Sequence, residues 1–179
     1  MTTLAEGDVI DCGHRSLRVM HTPGHATHHV AFIDDDARTA FTGDVAGVRL
    51  GRGSYVRPPT PPPDVDVEGW HQSADRLRAL DLKAIDLTHF GRRTDVTSHL
   101  DDLSRNLDAW VDWSSVRFVA GADPSSIARE LRIKRARDVT ACGGNAADIA
   151  AYELVTASKM SVDGMARYAT SRARTMAVA

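Results

Sequence analysis

Three residues that can bind a metal ion each follow a predicted β-strand. His25 comes after SLRVMHTPG, Asp44 closes TAFTGD and His89 closes AIDLTH. In layered α/β folds the ends of strands meet at one rim, so residues distant in sequence can converge there. Imidazole nitrogen and carboxylate oxygen are ligands that zinc and iron accept. The pattern predicts a metal site at one rim of a sheet.

The turn residues beside these positions support the same interpretation. Pro23 fixes one backbone angle, and Gly24 permits the tight bend that swings His25 off its strand. Gly43 allows a sharp turn that brings Asp44 to the same rim. Any one of these side chains taken singly is more often a surface residue or a satisfied core residue, so the prediction depends on all of them together.

The other histidines have less support as ligands. On a strand, His28 and His29 point to opposite sides, so one of them faces the site. It could contact a metal or substrate, but a hydrogen bond to a ligand or a place on the strand surface is the more common role. We interpret the remaining four as solvated or structural: His14, His21, His71 and His99.

The elements that must position the site change in character along the chain. The first 44 residues read as a β-meander, with residues 34–38 as a hairpin connection. Residues 45–65 show no periodicity, and RPPTPPPD holds five of the seven prolines, which predicts a stiff loop. Arg49, Arg52, Tyr55 and Arg57 of this loop either cover a substrate and neutralise its charge or pack over the core.

Helical spacing begins after residue 65. Apolar residues recur every three or four positions around Trp70–Leu80 and again over Leu100–Trp110, with a buried strand AIDLTHF between them. Beyond Gly121 the chain reads as three or four short helices. RIKRARD predicts an exposed helix face, and Asn145 after the Gly-Gly pair predicts an N-cap.

Composition excludes several classes of protein. The 179 residues fit one domain, or one domain with a small appendage, and the net charge of −2 implies no nucleic-acid partner. Cys12 and Cys142 are far apart and predict buried free thiols rather than a disulfide. The acidic N-terminus and the lack of a run of about 20 apolar residues predict a cytoplasmic protein without a membrane partner.

Together, TPGHATHH, FTGD and LTHFG resemble the later motifs of the metallo-β-lactamase-fold hydrolases, and MSVDGMARY resembles the closing segment of a bacterial subgroup. The resemblance implies that His25 binds a first metal, that Asp44 bridges two metals and orients a hydroxide, and that His89 binds the second. It implies up to two Zn²⁺ ions, with iron or manganese as alternatives. A small-molecule ester, thioester, lactone or related bond would be hydrolysed by a metal-bound hydroxide.

The family's HxHxDH motif does not occur in this sequence. We therefore expect a truncated domain over residues 1–120: an α/β fold, a metallo-β-lactamase-like αββα sandwich lacking the first β-layer. A C-terminal helical segment follows over residues 121–179. Two ligands per metal position predict little hydrolase activity for this chain alone, and the alternative is a non-catalytic binding or assembly module. An uncovered sheet face favours a homodimer.

Overall fold

A computed structural model describes residues 3–89 and 91–178 as a mixed α/β fold, in which the described residues form six strands and five helices. The strands are β1 (Val9–Asp11), β2 (Ser16–His21), β3 (Val30–Asp34), β4 (Thr39–Gly43), β5 (Ala84–Leu87) and β6 (Gly91–Arg93). The helices are α1 (Val67–Arg78), α2 (Val96–Val119), α3 (Pro124–Ala141), α4 (Ala146–Val155) and α5 (Ser158–Val178).

The strands form one sheet in chain order, from β1 to β6. Neighbouring strands are antiparallel except β4 and β5, which are parallel because α1 lies between them in the chain and returns it in the same direction. The first four strands are therefore the predicted meander. The parallel pair places the ends of β4 and β5, and hence Asp44 and His89, at the same edge of the sheet.

Helices α1, α3 and α4 begin where a side chain accepts hydrogen bonds from free backbone N–H groups. Asp66 accepts a hydrogen bond from the Gly69 backbone at the start of α1. Asn145 caps α4 in a reciprocal arrangement with Asp148, which confirms the predicted N-cap. Such a cap is typically worth about 1 kcal/mol. The polar residues between α3 and α4 therefore favour the start of a new helix at this point of the chain.

One hydrophobic core joins the sheet to the helices. Ile33 and Ile85 lie on the covered face of the sheet and pack in the same cluster as Trp70 of α1 and Leu103 of α2. All four side chains are essentially inaccessible to solvent. Burial of this size stabilises each side chain by roughly 1.5–3 kcal/mol, so α1 and α2 hold the strand ends in place.

The C-terminal helices share this core. Ile127 of α3 and Met165 of α5 belong to the same cluster as the sheet, and α5 also contacts α2. A smaller cluster joins the loop after β4 to α3 and α4 through Tyr55, Val139 and Tyr152. The proposed domain boundary at residue 120 stays a prediction.

Several sequence-based expectations were wrong in detail. The strand over AIDLTHF ends at Leu87, so His89 lies in a turn, and β6 was not predicted because its three residues carry no apolar pattern. Both cysteines are free, but Cys12 is exposed and Cys142 is only partly buried. Arg135, in the basic run expected to be exposed, is 2% exposed and bonds Glu153 at 2.6 Å.

Among the described helices, none combines the length and apolar character needed to cross a membrane.

Candidate functional site

His25 is held in a turn that only glycine permits at the preceding position. Gly24 has a φ of +139°, and a Cβ there would overlap the backbone and side chain of Trp70. The Gly24 carbonyl also accepts a hydrogen bond from the Asp66 backbone at 2.8 Å. The His25 ring then stands edge-on to Trp70, with the ring centroids 5.9 Å apart. Contacts from α1 and its N-cap therefore hold the turn in place. The sequence pattern predicted the bend at Gly24 but not these contacts.

Asp44 is positioned by a second glycine and by His29. Gly43 has a φ of +56°, and a Cβ there would lie 2.5 Å from Nε2 of His29. The Asp44 backbone N–H donates to that nitrogen at 3.0 Å. Nδ1 of His29 therefore carries the proton and donates to the Thr22 hydroxyl at 2.8 Å. His29 supports Asp44 through its backbone.

Burial lowers the pKa of His29 to about 4, and the nearby charge of His25 adds to the effect. A ring with this pKa is neutral at physiological pH, which agrees with one nitrogen that donates and one that accepts. His28 is exposed and lines the adjoining cavity. Both histidines precede β3 rather than lying on a strand, so the expected alternation does not apply to them, and both line this cavity.

The structure brings His25, Asp44 and His89 together. Nε2 of His25 lies 3.6 Å from Oδ2 of Asp44, and Nε2 of His89 lies 3.1 Å from Oδ1. The second distance is short enough for a hydrogen bond, but within the described part of the chain Oδ1 has no partner of suitable geometry. The carboxylate therefore lies between two imidazoles, with one facing each oxygen and neither hydrogen-bonded to it.

The hydrogen bond at Nδ1 of His25 determines which ring atom faces Asp44. Its Nδ1 lies 2.9 Å from the carbonyl oxygen of Pro59, and a carbonyl can only accept, so Nδ1 carries the proton. In the neutral ring Nε2 then presents a lone pair toward Asp44 Oδ2. Two acceptors that face each other repel unless a cation lies between them. Sequence reasoning missed Pro59, because a backbone carbonyl leaves no signal in a residue pattern.

An open cavity of about 450 Å³ adjoins these groups. His25, His28 and Asp44 line it together with the proline run 61–63 and Asp64. The proline-rich loop therefore forms a wall of the site.

The four loop residues weighed as substrate contacts lie elsewhere. Arg57 and Tyr55 are buried, and Arg57 bonds the Tyr152 carbonyl at 2.8 Å and the Ser161 hydroxyl at 2.6 Å. Arg49 forms an ion pair with Asp95 at 2.6 Å. Neither these residues nor Arg52 line the cavity beside Asp44. Of the two roles considered for this loop, packing over the core is the one that Tyr55 and Arg57 have. Their hydrogen-bond partners lie on α4 and α5.

Within residues 3–89 and 91–178, no group of three or more His, Cys, Asp or Glu side chains has the arrangement of a complete metal site. This agrees with the geometry above, since each of the two histidines contacts a different oxygen of Asp44. The site therefore consists of two pairs, His25 with Asp44 and His89 with Asp44, which share one carboxylate.

Comparison with known proteins identifies the fold. Residues 2–89 match the family model of the metallo-beta-lactamase superfamily. A metallo-beta-lactamase fold-containing protein of Sulfurisphaera tokodaii is 37% identical over 81 residues, 45% of this chain and 29% of that protein. A hydroxyacylglutathione hydrolase of Rhodopseudomonas palustris is 28% identical over 144 residues, 78% of this chain and 44% of that enzyme. The chain spans less than half the length of either relative.

A solved structure supports the same assignment. A metallo-beta-lactamase family protein from Thermus thermophilus superimposes with a TM-score of 0.53 and 26% identity. The match covers 63% of this chain and 37% of that protein. Residues 2–89 therefore carry the match to the metallo-beta-lactamase superfamily, and the six-stranded sheet with its helices has a metallo-beta-lactamase-like fold.

Proposed function

We propose that His25, Asp44 and His89 are metal ligands in the site of a metal-dependent hydrolase. The observation that carries the proposal is the Asp44 carboxylate, which lies between two imidazole nitrogens and has a buried oxygen, Oδ1, without a hydrogen-bond partner in the described structure. An unpaired buried carboxylate oxygen costs several kcal/mol unless a cation compensates it. The donor set fits zinc, with iron or manganese as alternatives.

The two oxygens of Asp44 fit a carboxylate shared by two ions. His25 and Asp44 would hold the first ion, and Asp44 and His89 the second. The bond from His25 Nδ1 to the Pro59 carbonyl is the support that metal-binding histidines usually have, because it fixes the tautomer and leaves Nε2 free. Each position then has two protein ligands from the described residues, and water or other protein groups must complete it.

The reaction that this site supports best is hydrolysis of an ester, thioester, lactone or related bond in a small molecule. A bound divalent cation would polarise the carbonyl and make an attached water more acidic. Asp44 would orient the reacting centre, and His29 would hold the Asp44 backbone in place. The cavity of about 450 Å³ has the size of a small-molecule site, with the prolines as an apolar wall. The similarity to a hydroxyacylglutathione hydrolase supports this reaction class.

Metal binding is the first test. Zinc would be titrated into the metal-free chain by calorimetry, for the wild type and for His25→Ala, Asp44→Ala and His89→Ala. His14→Ala is the matched control, because this histidine is exposed and lies outside the site. We expect Asp44→Ala to lose both binding events and each histidine variant to lose one. Zinc binding that is unchanged in Asp44→Ala would refute the assignment.

Hydrolysis would then be measured with a chromogenic ester and an acyl thioester in the presence of zinc. We expect turnover that is lost in Asp44→Ala and retained in His14→Ala. Because only two described ligands serve each ion, the rate should be well below that of a complete three-ligand zinc site.

A second candidate function is a non-catalytic binding or assembly module. The observation that favours it is that the described residues form no group of three or more metal-binding side chains with the arrangement of a metal site. No turnover of either probe, whether or not zinc binds, would support this module over the enzyme.

A homodimer is also part of the proposal. Phe32 and Phe41 are directly opposite each other on the face of the sheet away from the core, and Phe41 is 37% exposed. An apolar sheet face of this kind promotes association. Light scattering after size exclusion should give twice the chain mass, and Phe41→Lys should give the mass of one chain. A wild-type chain that is monomeric at high concentration would refute the dimer.

A further inference from the structure

Helix α5 packs against the proline-rich wall of the candidate site. A Cβ at Gly164 would overlap the carbonyl oxygen of Thr60 and would lie 2.9 Å from the carbonyl carbon of Pro61. Gly164 and Thr60 are both buried, so surrounding atoms would prevent the loop from shifting to relieve this overlap. The absence of a side chain at residue 164 is therefore what lets the loop lie against the helix.

Two polar contacts hold the loop at this distance. The Thr60 hydroxyl donates to the Ser161 carbonyl at 3.3 Å, and the guanidinium of Arg57 donates to the Ser161 hydroxyl at 2.6 Å. Arg57 is completely buried and also donates to the Tyr152 carbonyl. The loop is thus clamped to α4 and α5 on both sides of Pro59.

Pro59 lies between these two contacts and is the loop residue that contacts the His25 ring. The Pro59 carbonyl lies 2.9 Å from His25 Nδ1, and this contact decides which ring nitrogen carries the proton. Because Pro59 precedes Thr60 directly, a shift of the loop away from α5 would move its carbonyl relative to the imidazole. Pro59 lies within the family-matched residues 2–89, whereas Ser161 and Gly164 lie beyond them.

We propose that Gly164 and Ser161 are positioning residues for His25. Helix α5 holds the Pro59 carbonyl against His25 Nδ1, which keeps the proton on that nitrogen and leaves Nε2 facing Asp44. The consequence for metal affinity rests on the proposed function. The tautomer itself does not, because it is a property of the metal-free chain.

The test is the tautomer of His25 in the metal-free full chain. Nitrogen-15 NMR of histidine-labelled protein at alkaline pH, where imidazole rings are neutral, distinguishes Nδ1–H from Nε2–H. The variants are Gly164→Ala, which forces the loop away, and Thr60→Val, which keeps the shape and removes the hydroxyl. Thr170→Ala is the control, because Thr170 is on the exposed face of α5.

In the wild type and in Thr170→Ala we expect Nδ1–H to predominate at His25. In folded Gly164→Ala the ratio of Nδ1–H to Nε2–H should fall about tenfold, as expected from loss of one hydrogen bond. An unchanged ratio in folded Gly164→Ala would overturn the proposal, and so would an equal change in Thr170→Ala. If Gly164→Ala does not fold, Thr60→Val decides by the same criterion.

Zinc titration of the same variants separates the two proposals. A shifted tautomer with weaker zinc binding supports both. A shifted tautomer in a chain that binds no zinc at all would refute the proposed function and leave the positioning role of α5 intact.

Discussion

Replacing Trp70 with phenylalanine tests how much the buried indole of α1 and its bond to the loop after β4 stabilise the fold. The Trp70 side chain is 0% exposed, and its indole N–H donates to the Val45 carbonyl at 2.6 Å. The indole ring is nearly perpendicular to the ring of His25, and Gly24 packs on the Trp70 backbone. Trp70→Phe removes the donor and leaves a smaller ring in the same space.

The expected loss has two parts. A buried carbonyl left without its donor costs about 1–3 kcal/mol. The space left by the smaller ring adds about 1 kcal/mol, because a packed core collapses only partly. The free energy of unfolding should therefore fall by roughly 2–4 kcal/mol, and the melting temperature by roughly 5–15 °C for a chain of this size.

Urea unfolding followed by far-UV circular dichroism measures this loss. Trp113→Phe is the matched control, since Trp113 is only partly buried and stacks against Arg117 with 3.7 Å between the guanidinium carbon and the ring centre. A phenylalanine keeps a ring face for that contact, so the control should lose less than about 1 kcal/mol. Equal losses in the two variants would refute the reasoning, because they would mean that the bond to Val45 contributes nothing.

Three further predictions concern pH, a buried charge and metal removal. The folded pKa of His29, about 4, lies below its ordinary value of 6.5, so the metal-free chain should lose stability as the pH falls from about 6.5 to about 4. His29→Gln should reduce the loss between pH 7.5 and pH 5 by about 1–2 kcal/mol in urea unfolding, and equal losses in both proteins would exclude this ring as the cause. Arg57→Ala should cost about 2–5 kcal/mol, because it opens a cavity and leaves the Ser161 hydroxyl without its buried partner; a loss below about 1 kcal/mol would contradict this. A chelator should lower the melting temperature of the zinc-loaded wild type by the equivalent of about 2–3 kcal/mol and leave Asp44→Ala unchanged, whereas a wild type insensitive to the chelator would argue against zinc at this site.

Local patterns in the sequence predicted most of the elements. The alternating runs before residue 44 form the meander, and the spacing of apolar residues over Leu100–Trp110 lies inside α2. These patterns succeed because side-chain alternation and helical periodicity are decided within a few residues. The short strand β6 was missed for the same reason, since it forms only by pairing with β5.

The three candidate ligands could also be selected from sequence. His25 and Asp44 follow glycines with positive φ, and such turns leave a recognisable Thr-Pro-Gly or Thr-Gly pattern. His89 was placed at a strand end and lies two residues beyond it, which is close enough to reach the same edge. The prediction that strand ends converge holds because β4 and β5 are parallel and adjacent.

By itself, then, the sequence determined the four-stranded meander, the buried strand β5 and the residue types that follow the strand ends. Only the tertiary structure decided how those residues are supported: that Pro59 fixes the tautomer of His25, that Arg57 is buried under α4 and α5, and that Gly164 lets α5 approach the loop. These contacts join positions 34 to more than 100 residues apart, through backbone carbonyls and through space left by a missing side chain. Neither leaves a local pattern in the chain, because each depends on where a distant element packs.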